Sequence, residues 1–395
     1  MIIVGGLYRE RCLHPQWHHV YGSGGRAAAA VASASPGTIL HTYVAPGFQR
    51  VAEAAMGACG VQINAHNASS QISFSYTYPL ARPEIDWDDH TNAAIKVSGG
   101  TVLRFGMIEG EAVVDAARVV YDPQSSGQCF QENGSKSECL ATVMNDVELA
   151  DMSGTTDVAA GASWLLASGR PNDVLIVKRG PLGAEVYRSG VADPEIVPAY
   201  RSAKIFKIGS GDVFSAMFAL HWGERGLPPV EAADLASRAV ATYVQSASLP
   251  VPDTLGPESH GPPLPTGIRP GTIYLAAPFF TLGQRWLVEE ARKALLALGA
   301  SVFSPVHDVG FGPPETVAPA DIAGLNACGA VLAVLDGGDP GTIYEIGHAR
   351  SRGIPVVVLA ESVMERDLTM PIGMGCEIAP DLTAAAYMAV WAAMR

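Results

Sequence analysis

The sequence predicts an α/β protein built from two layered domains. Three observations lead there: the length, an alternation of short apolar runs with Ala-rich stretches, and one dense cluster of prolines about two thirds along the chain. A chain of 395 residues exceeds one ordinary core, since domains run to roughly 100 to 200 residues. Hydrophobic residues make up 48% and charged ones 16%, the balance of a packed protein rather than a disordered one. Between Leu249 and Gly271 stand Pro250, Pro252, Pro257, Pro262, Pro263, Pro265 and Pro270, which interrupt helices and deny ladder hydrogen bonds. That stretch, 249–271, reads as a stiff linker between a domain of residues 1–248 and one of residues 272–395.

In the first part, Ile2-Ile3-Val4, Thr38 to Val44, Val102 to Phe105 and Val174 to Lys178 are apolar runs separated by Ala-rich helical stretches. This is the pattern of parallel strands with crossover helices. Ile72, Phe74, Tyr76 and Tyr78 alternate with Ser73, Ser75 and Thr77. A period of two suits a strand with one exposed face, here part of a small flap outside the main sheet. The second part alternates more cleanly: strand 272–276, a helix near 283–298 closed by Gly299, strand 301–303, a helix near 320–327, strand 330–335, a helix near 342–352 closed by Gly353, and strand 354–359. Open sheets of this kind bind ligands where strands end and loops begin. Tyr274, Asp336 and Asp339 lie at or near such ends.

The formal net charge is −13, which repels a phosphate backbone or an anionic bilayer over most of the surface. No nucleic-acid partner is expected. The longest charge-free apolar-looking stretch, 27–49, is broken by Pro36, Gly37, His41 and Pro46, which a bilayer core penalises, so no membrane span is expected either. The apolar opening Met1 to Gly6 is short and precedes Arg9 and Arg11, the wrong order for a secretory signal, and the cytoplasm is the expected compartment. Six cysteines are scattered without a two-residue spacing; buried free thiols are expected rather than disulfides or a zinc site. His14 and His18 are four apart, but Pro15 between them argues against a helical metal pair.

Near the C-terminus, Gly337-Gly338-Asp339-Pro340-Gly341-Thr342 places a Gly-rich turn between a strand ending in Leu335-Asp336 and a helix carrying Glu345. Its backbone can approach a ligand closely. Glu345 follows Asp339 by six residues, so two carboxylates can converge on one pocket. Paired carboxyls around an anomeric carbon are what glycosidic cleavage needs, one as nucleophile and one helping the leaving group depart. The same residues also fit a plain turn with an acid near a helix N-terminus, where the macrodipole favours it.

Taken together, Ile273-Tyr274-Leu275-Ala276-Ala277-Pro278-Phe279-Phe280, Phe303-Ser304-Pro305, Asp321 before a helix, and Asp339-Pro340-Gly341-Thr342 with Glu345-Ile346-Gly347 resemble the nucleoside 2-deoxyribosyltransferases over nearly all of residues 272 to 395. The resemblance implies a Rossmann or flavodoxin-like doubly wound parallel sheet. It implies Glu345 as the nucleophile that attacks C1′ of a nucleoside and forms a covalent glycosyl intermediate, with Tyr274 orienting it. Asp321 and Asp339 are implied to hold sugar or base and to assist proton transfer to the leaving base. Phe279, Asp336, Gly341 and Thr342 are expected to line the substrate site, and a nucleotide's phosphate could sit at the helix N-terminus around Gly341 and Thr342. A nucleobase leaves more readily once its ring nitrogen is protonated as oxocarbenium character develops; neither step needs a cofactor. Transfer to a second base and hydrolysis share the intermediate, so both stand. The resemblance further implies a homo-oligomer, with Met370 to Cys376 reaching into a neighbouring chain's pocket. The phosphoribohydrolase signature Gly-Gly-x-Gly-Thr-x-x-Glu is also approached, but Asp339-Pro340 makes the spacing one residue too long; it predicts the same reaction class.

In the first part, Lys207-Ile208-Gly209-Ser210-Gly211-Asp212 precedes a helical run. Successive small residues at a helix N-terminus present N–H groups to an anion, and Asp212 could accept a hydroxyl proton in phosphoryl transfer; alone, the segment also fits a simple cap. With Asn145-Asp146-Val147-Glu148, Val177-Lys178-Arg179-Gly180 and Tyr21-Gly22-Ser23-Gly24-Gly25 in this order, residues 1 to 250 look like the PfkB, or ribokinase-like, sugar and nucleoside kinases. That resemblance implies a three-layer α/β/α domain with a reduced β flap. It implies Asp212 as catalytic base, Gly209, Ser210 and Gly211 as the anion hole, and Asn145, Glu148 and Lys178 near the phosphates of ATP with Mg2+. The chain departs from the family where Phe206-Lys207 replaces an Asp-Thr pair, where Arg26-Ala27-Ala28 replaces a sugar-binding Asn, and where only Glu10 could stand for an early Asp. The function expected is therefore N-glycosidic cleavage of a small-molecule nucleoside or nucleotide, most simply deoxyribosyl transfer, fused to a kinase domain that is active, or that binds nucleotide without turnover. Sugar or nucleoside phosphorylation as the main activity is the alternative.

Overall fold

A computed structural model describes residues 1–167, 173–256 and 258–394. The chain divides into two compact units, one of residues 1–202 and 207–263, the other of residues 203–206 and 264–395.

The first unit is built on a nine-stranded sheet. Its order is Glu195–Val197, Ala184–Arg188, Val174–Lys178, Lys136–Asn145, Ala112–Asp122, Ile95–Phe105, Ile2–Val4, Ile39–Val44 and Gln62–Asn67. Seven of these strands run parallel, and the first two are added antiparallel at one edge. All four apolar runs read as strands take part. The helix Gly22–Val31 packs against the helix Ser210–Phe218, and its alanines 27 to 30 are fully buried. The closeness is steric in origin: a Cβ on Gly24 would lie 2.6 Å from the backbone of Gly5, so only glycine lets this helix seat on the first strand.

The alternating segment forms the strand Ser73–Tyr76 of a separate four-stranded sheet, with Trp17–Val20, Arg9–Cys12 and Glu84–Asp86, in line with a flap. The Pro-rich stretch is held to the first unit over part of its length. Val251 N–H donates to Ala30, Arg201 N–H donates to Pro262, and Tyr200 bridges to Pro263.

The second unit carries five parallel strands in the order Val302–Phe303, Ile273–Ala276, Ala330–Val334, Val356–Leu359 and Glu377–Ala379. Numbered along the chain this is 2-1-3-4-5, the flavodoxin-like order whose switch point lies between strands 1 and 3. The helices Pro314–Asn326 and Pro340–Ser351 share one core with alternate strand residues Tyr274, Ala276, Val331 and Ala333. The helix Leu382–Ala392 packs with Leu282–Ala297 and the central strands. Thr281 and Gln284 close a capping box on Leu282–Ala297, satisfying two otherwise orphan N–H groups. Among the described residues no helix is long and apolar enough to cross a membrane, and all six cysteines are free thiols.

Candidate active sites

In the second unit the site forms at the switch point. Tyr274 is the second residue of its strand and fully buried, and its hydroxyl donates to Glu345 Oε1 at 2.5 Å. The phenol ring lies flat on Phe303, centroids 5.5 Å apart at 13°. Phe303 in turn occupies the space over Gly324, where a Cβ would come within 2.2 Å of its ring. One glycine in the helix Pro314–Asn326 thus lets two stacked rings fit and fixes where the tyrosine points.

Glu345 lies in the helix Pro340–Ser351, whose start explains the Gly-rich turn. Gly337 and Gly338 take positive φ, 90° and 63°, which only glycine adopts without strain. Asp339 is the N-cap, accepting from Thr342 N–H at 2.7 Å and Thr342 Oγ1 at 3.0 Å, and Pro340 opens the first turn.

Burial pushes the Glu345 carboxyl up, Tyr274's hydrogen bond pulls it back, and the charges of Asp321 and Asp339 push it up again, to about 7. Among the described residues no cation offsets them. Burial, then the charge of Glu345, raises the Tyr274 hydroxyl far above the ordinary phenol range, so it stays a donor. Burial raises the Asp321 carboxyl, and its Oδ1 is shielded from water with no hydrogen-bond partner. A partly buried carboxylate held by a phenol, beside a second acid with an idle oxygen, is suited to attack on an electrophilic carbon while a proton is delivered to a leaving group.

One expectation needs correcting, and several other predicted residues have contacts of their own. Asp321 sits inside a helix, not before one, because the helix begins at Pro314 and tolerates Pro319 within it. Asp336 is turned to its own fold, accepting from the N–H groups of Glu361 and Ser362 and from the Ser362 hydroxyl; it clasps a neighbouring loop. Thr342 gives both its N–H and its hydroxyl to Asp339, and Gly341 is exposed in the same turn. Phe279 packs on Phe280 and Phe311, centroids 5.3 and 5.8 Å away, in an aromatic group of its own.

The first unit gathers a denser charge cluster. Gly209, at φ 75°, caps the helix Ser210–Phe218, and Asp212 lies in its first turn. Asp212 Oδ2 accepts from Arg26 Nη1 at 2.8 Å and Oδ1 from Gln124 Nε2 at 3.4 Å. Arg26 also binds Glu10, Nη2 to Oε2 at 2.6 Å. Lys178 is paired with Asp122 at 2.9 Å, and Ser215 donates to the same Asp122 oxygen at 2.7 Å. Asn145 and Glu148 form a capping box on the helix Asp146–Ser153. Burial pushes the Glu148 carboxyl up to about 7 despite Lys178 nearby.

Asp122 and Gln124 are the residues sequence reasoning missed. The available signal was the apolar run Val119-Val120-Tyr121 ending in Asp122-Pro123, an acid at a strand's C-terminal end. Lys207 donates to Ser210 Oγ at 2.9 Å, no carboxylate among the described residues pairs with it, and burial together with Lys178 lowers its affinity for a proton. An uncompensated ammonium at a helix start fits an anionic phosphate chain. Among the described residues no group of three or more His, Cys, Asp and Glu could hold a metal ion.

Comparison with solved structures finds similarity to ribokinases. The ribokinase of Giardia lamblia is 15% identical, covering 63% of this chain and 96% of that one, with a TM-score of 0.47. A putative ribokinase from Agrobacterium tumefaciens is 12% identical, covering 62% and 91%, with a TM-score of 0.47. The Arabidopsis thaliana ribokinase complexed with ribose and ATP is 16% identical, covering 65% and 96%, with a TM-score of 0.46. No curated protein matches the chain. The site built on Tyr274, Asp321, Asp339 and Glu345 falls wholly within residues 273–377, the stretch that matches the nucleoside 2-deoxyribosyltransferase family.

Proposed function

We propose that the second unit breaks the N-glycosidic bond of a deoxynucleoside by attack of Glu345 on C1′, and passes the sugar to a second nucleobase. The observation that carries this reading is the 2.5 Å hydrogen bond from the buried Tyr274 hydroxyl to Glu345, with no cation among the described residues shifting the carboxylate. Tyr274 holds one oxygen and leaves the other to form the bond to carbon. Asp321, with its idle oxygen and raised proton affinity, is the better placed of the two aspartates to protonate the departing base; Asp339 is tied to its helix start and contributes charge. Incubation with a deoxynucleoside and a different free base should yield the exchanged nucleoside, and Glu345→Ala should abolish it. Release of base without exchange would make the reaction a hydrolysis.

A second reading concerns the first unit, and rests on Lys207 and the Gly209 to Gly211 turn. There ATP with Mg2+ would supply the phosphoryl group, Lys207 and Lys178 would hold its phosphates, and Asp212 would take the proton of an acceptor hydroxyl. ATP consumption over a panel of sugars and nucleosides, with Asp212→Asn as control, tests it.

A further inference from the structure

The space in front of Asp212 is filled by a side chain. Arg26 is 1% exposed, and its guanidinium bridges two acids from different elements, Glu10 on the flap strand Arg9–Cys12 and Asp212 at the helix start. It lies against the turn so closely that a Cβ on Gly209 would meet its Nε at 2.0 Å, and that Nε is buried without an acceptor. The rings of Trp17 and Tyr21 stand over it at 6.0 and 5.5 Å. The guanidinium covers Oδ2, and Oδ1 carries only a long contact from Gln124 Nε2 at 3.4 Å, so a hydroxyl gains both oxygens of Asp212 only when the guanidinium is drawn off. A neutral polyol offers the guanidinium only hydroxyl oxygens in place of a carboxylate, whereas a second anion replaces Asp212 in kind, with the fork geometry that Arg favours.

We propose that Arg26 is a specificity residue, and that the first unit takes a polyol bearing its own anionic group, phosphate or carboxylate, which replaces Asp212 on the guanidinium. Glu10 anchors the other edge of the fork, so Arg26 can turn from one anion to the next without leaving the site. Asp212, once released, keeps Lys178 within electrostatic reach and the N-terminal end of its own helix to support its charge. The inference rests on the reading of Asp212 as the group facing an acceptor hydroxyl, but it is read out by binding alone.

Calorimetric titration of the full chain with D-ribose, D-ribose 5-phosphate and D-ribonate tests it, the last two separating phosphate from carboxylate. At least one anion should bind about tenfold tighter than ribose or better. The double variant Glu10→Gln with Arg26→Gln keeps the formal charge of the trio unchanged, and should bring the ratio to within about threefold, which locates the anion at Arg26 rather than at Lys207. If that variant does not fold, Arg26→Lys, which keeps the charge but not the fork, should lower the ratio of anion to ribose affinity by about threefold or more. Equal or tighter binding of ribose by the native chain, or an anion preference that survives in the folded variant, overturns the proposal. Anion binding that depends on Arg26 while Asp212→Asn leaves ATP consumption unchanged would sink only the reading of Asp212 as base.

Discussion

Glu345 and Asp212 are acids in the opening turns of helices, yet their surroundings leave them in opposite conditions. Glu345 faces a neutral phenol and the charges of two more acids. Asp212 faces a guanidinium at 2.8 Å and an amide. Burial raises the proton affinity of both, but only the second is held in an ion pair. The contrast teaches that position at a helix start does not make an acid reactive; what lies opposite decides whether it is kept ready or kept occupied.

The largest test of this contrast is Glu345→Gln, which should lower base exchange by about a thousandfold or more, measured by chromatography of the exchanged nucleoside; retention of most of the rate would place the chemistry elsewhere. Tyr274→Phe comes next, at roughly 10- to 100-fold in kcat/KM, with a change in pH profile as its signature. On the proposed reading the ionised form of Glu345 attacks the sugar, so activity should climb as pH rises through about 7. Tyr274's hydrogen bond favours ionisation, so its loss should move that limb to higher pH. A flat profile in the native protein would contradict the raised carboxyl.

Gly324→Ala should cost about 1 to 3 kcal/mol by overpacking, read as a lower denaturation midpoint, and should lower activity by turning the Phe303 and Tyr274 rings. The smallest effect is on stability. A carboxyl whose folded pKa is raised contributes stability that is intact below its unfolded value and lost as pH rises through about 7. Glu345→Gln should therefore be the more stable protein above neutrality and gain nothing at acid pH; a Gln variant less stable at pH 8 would refute the raised carboxyl.

Much of this was legible from the chain. The strands around Ile3, Leu40, Leu103 and Ile176 were plain from uninterrupted apolar runs, and the flap strand from its period of two. The turn at Gly337 and Gly338 announced itself as a glycine pair between an apolar run and a helical pattern, the residue type that takes positive φ without steric cost. The helix Pro314–Asn326 was half hidden, because Pro319 reads as a break and only the surrounding turn shows that it is accommodated. Asp336 and Asp339 illustrate a deeper limit: an acid at a strand end looks the same in sequence whether it meets substrate, clasps a loop or caps a helix. The ion trio of Glu10, Arg26 and Asp212 joins positions up to 202 residues apart, 16 and 186 along its two contacts, and no local pattern could have paired them.

The stack of Gly324, Phe303 and Tyr274 has a practical corollary. Because the tyrosine's aim is set by the thickness of packed rings, a nearly incompressible spacer, its alignment should be indifferent to ionic strength and buffer, and responsive to single methyl groups added or removed beneath it. An engineer wishing to retune the reaction would do better to alter volumes behind the tyrosine than charges around the glutamate.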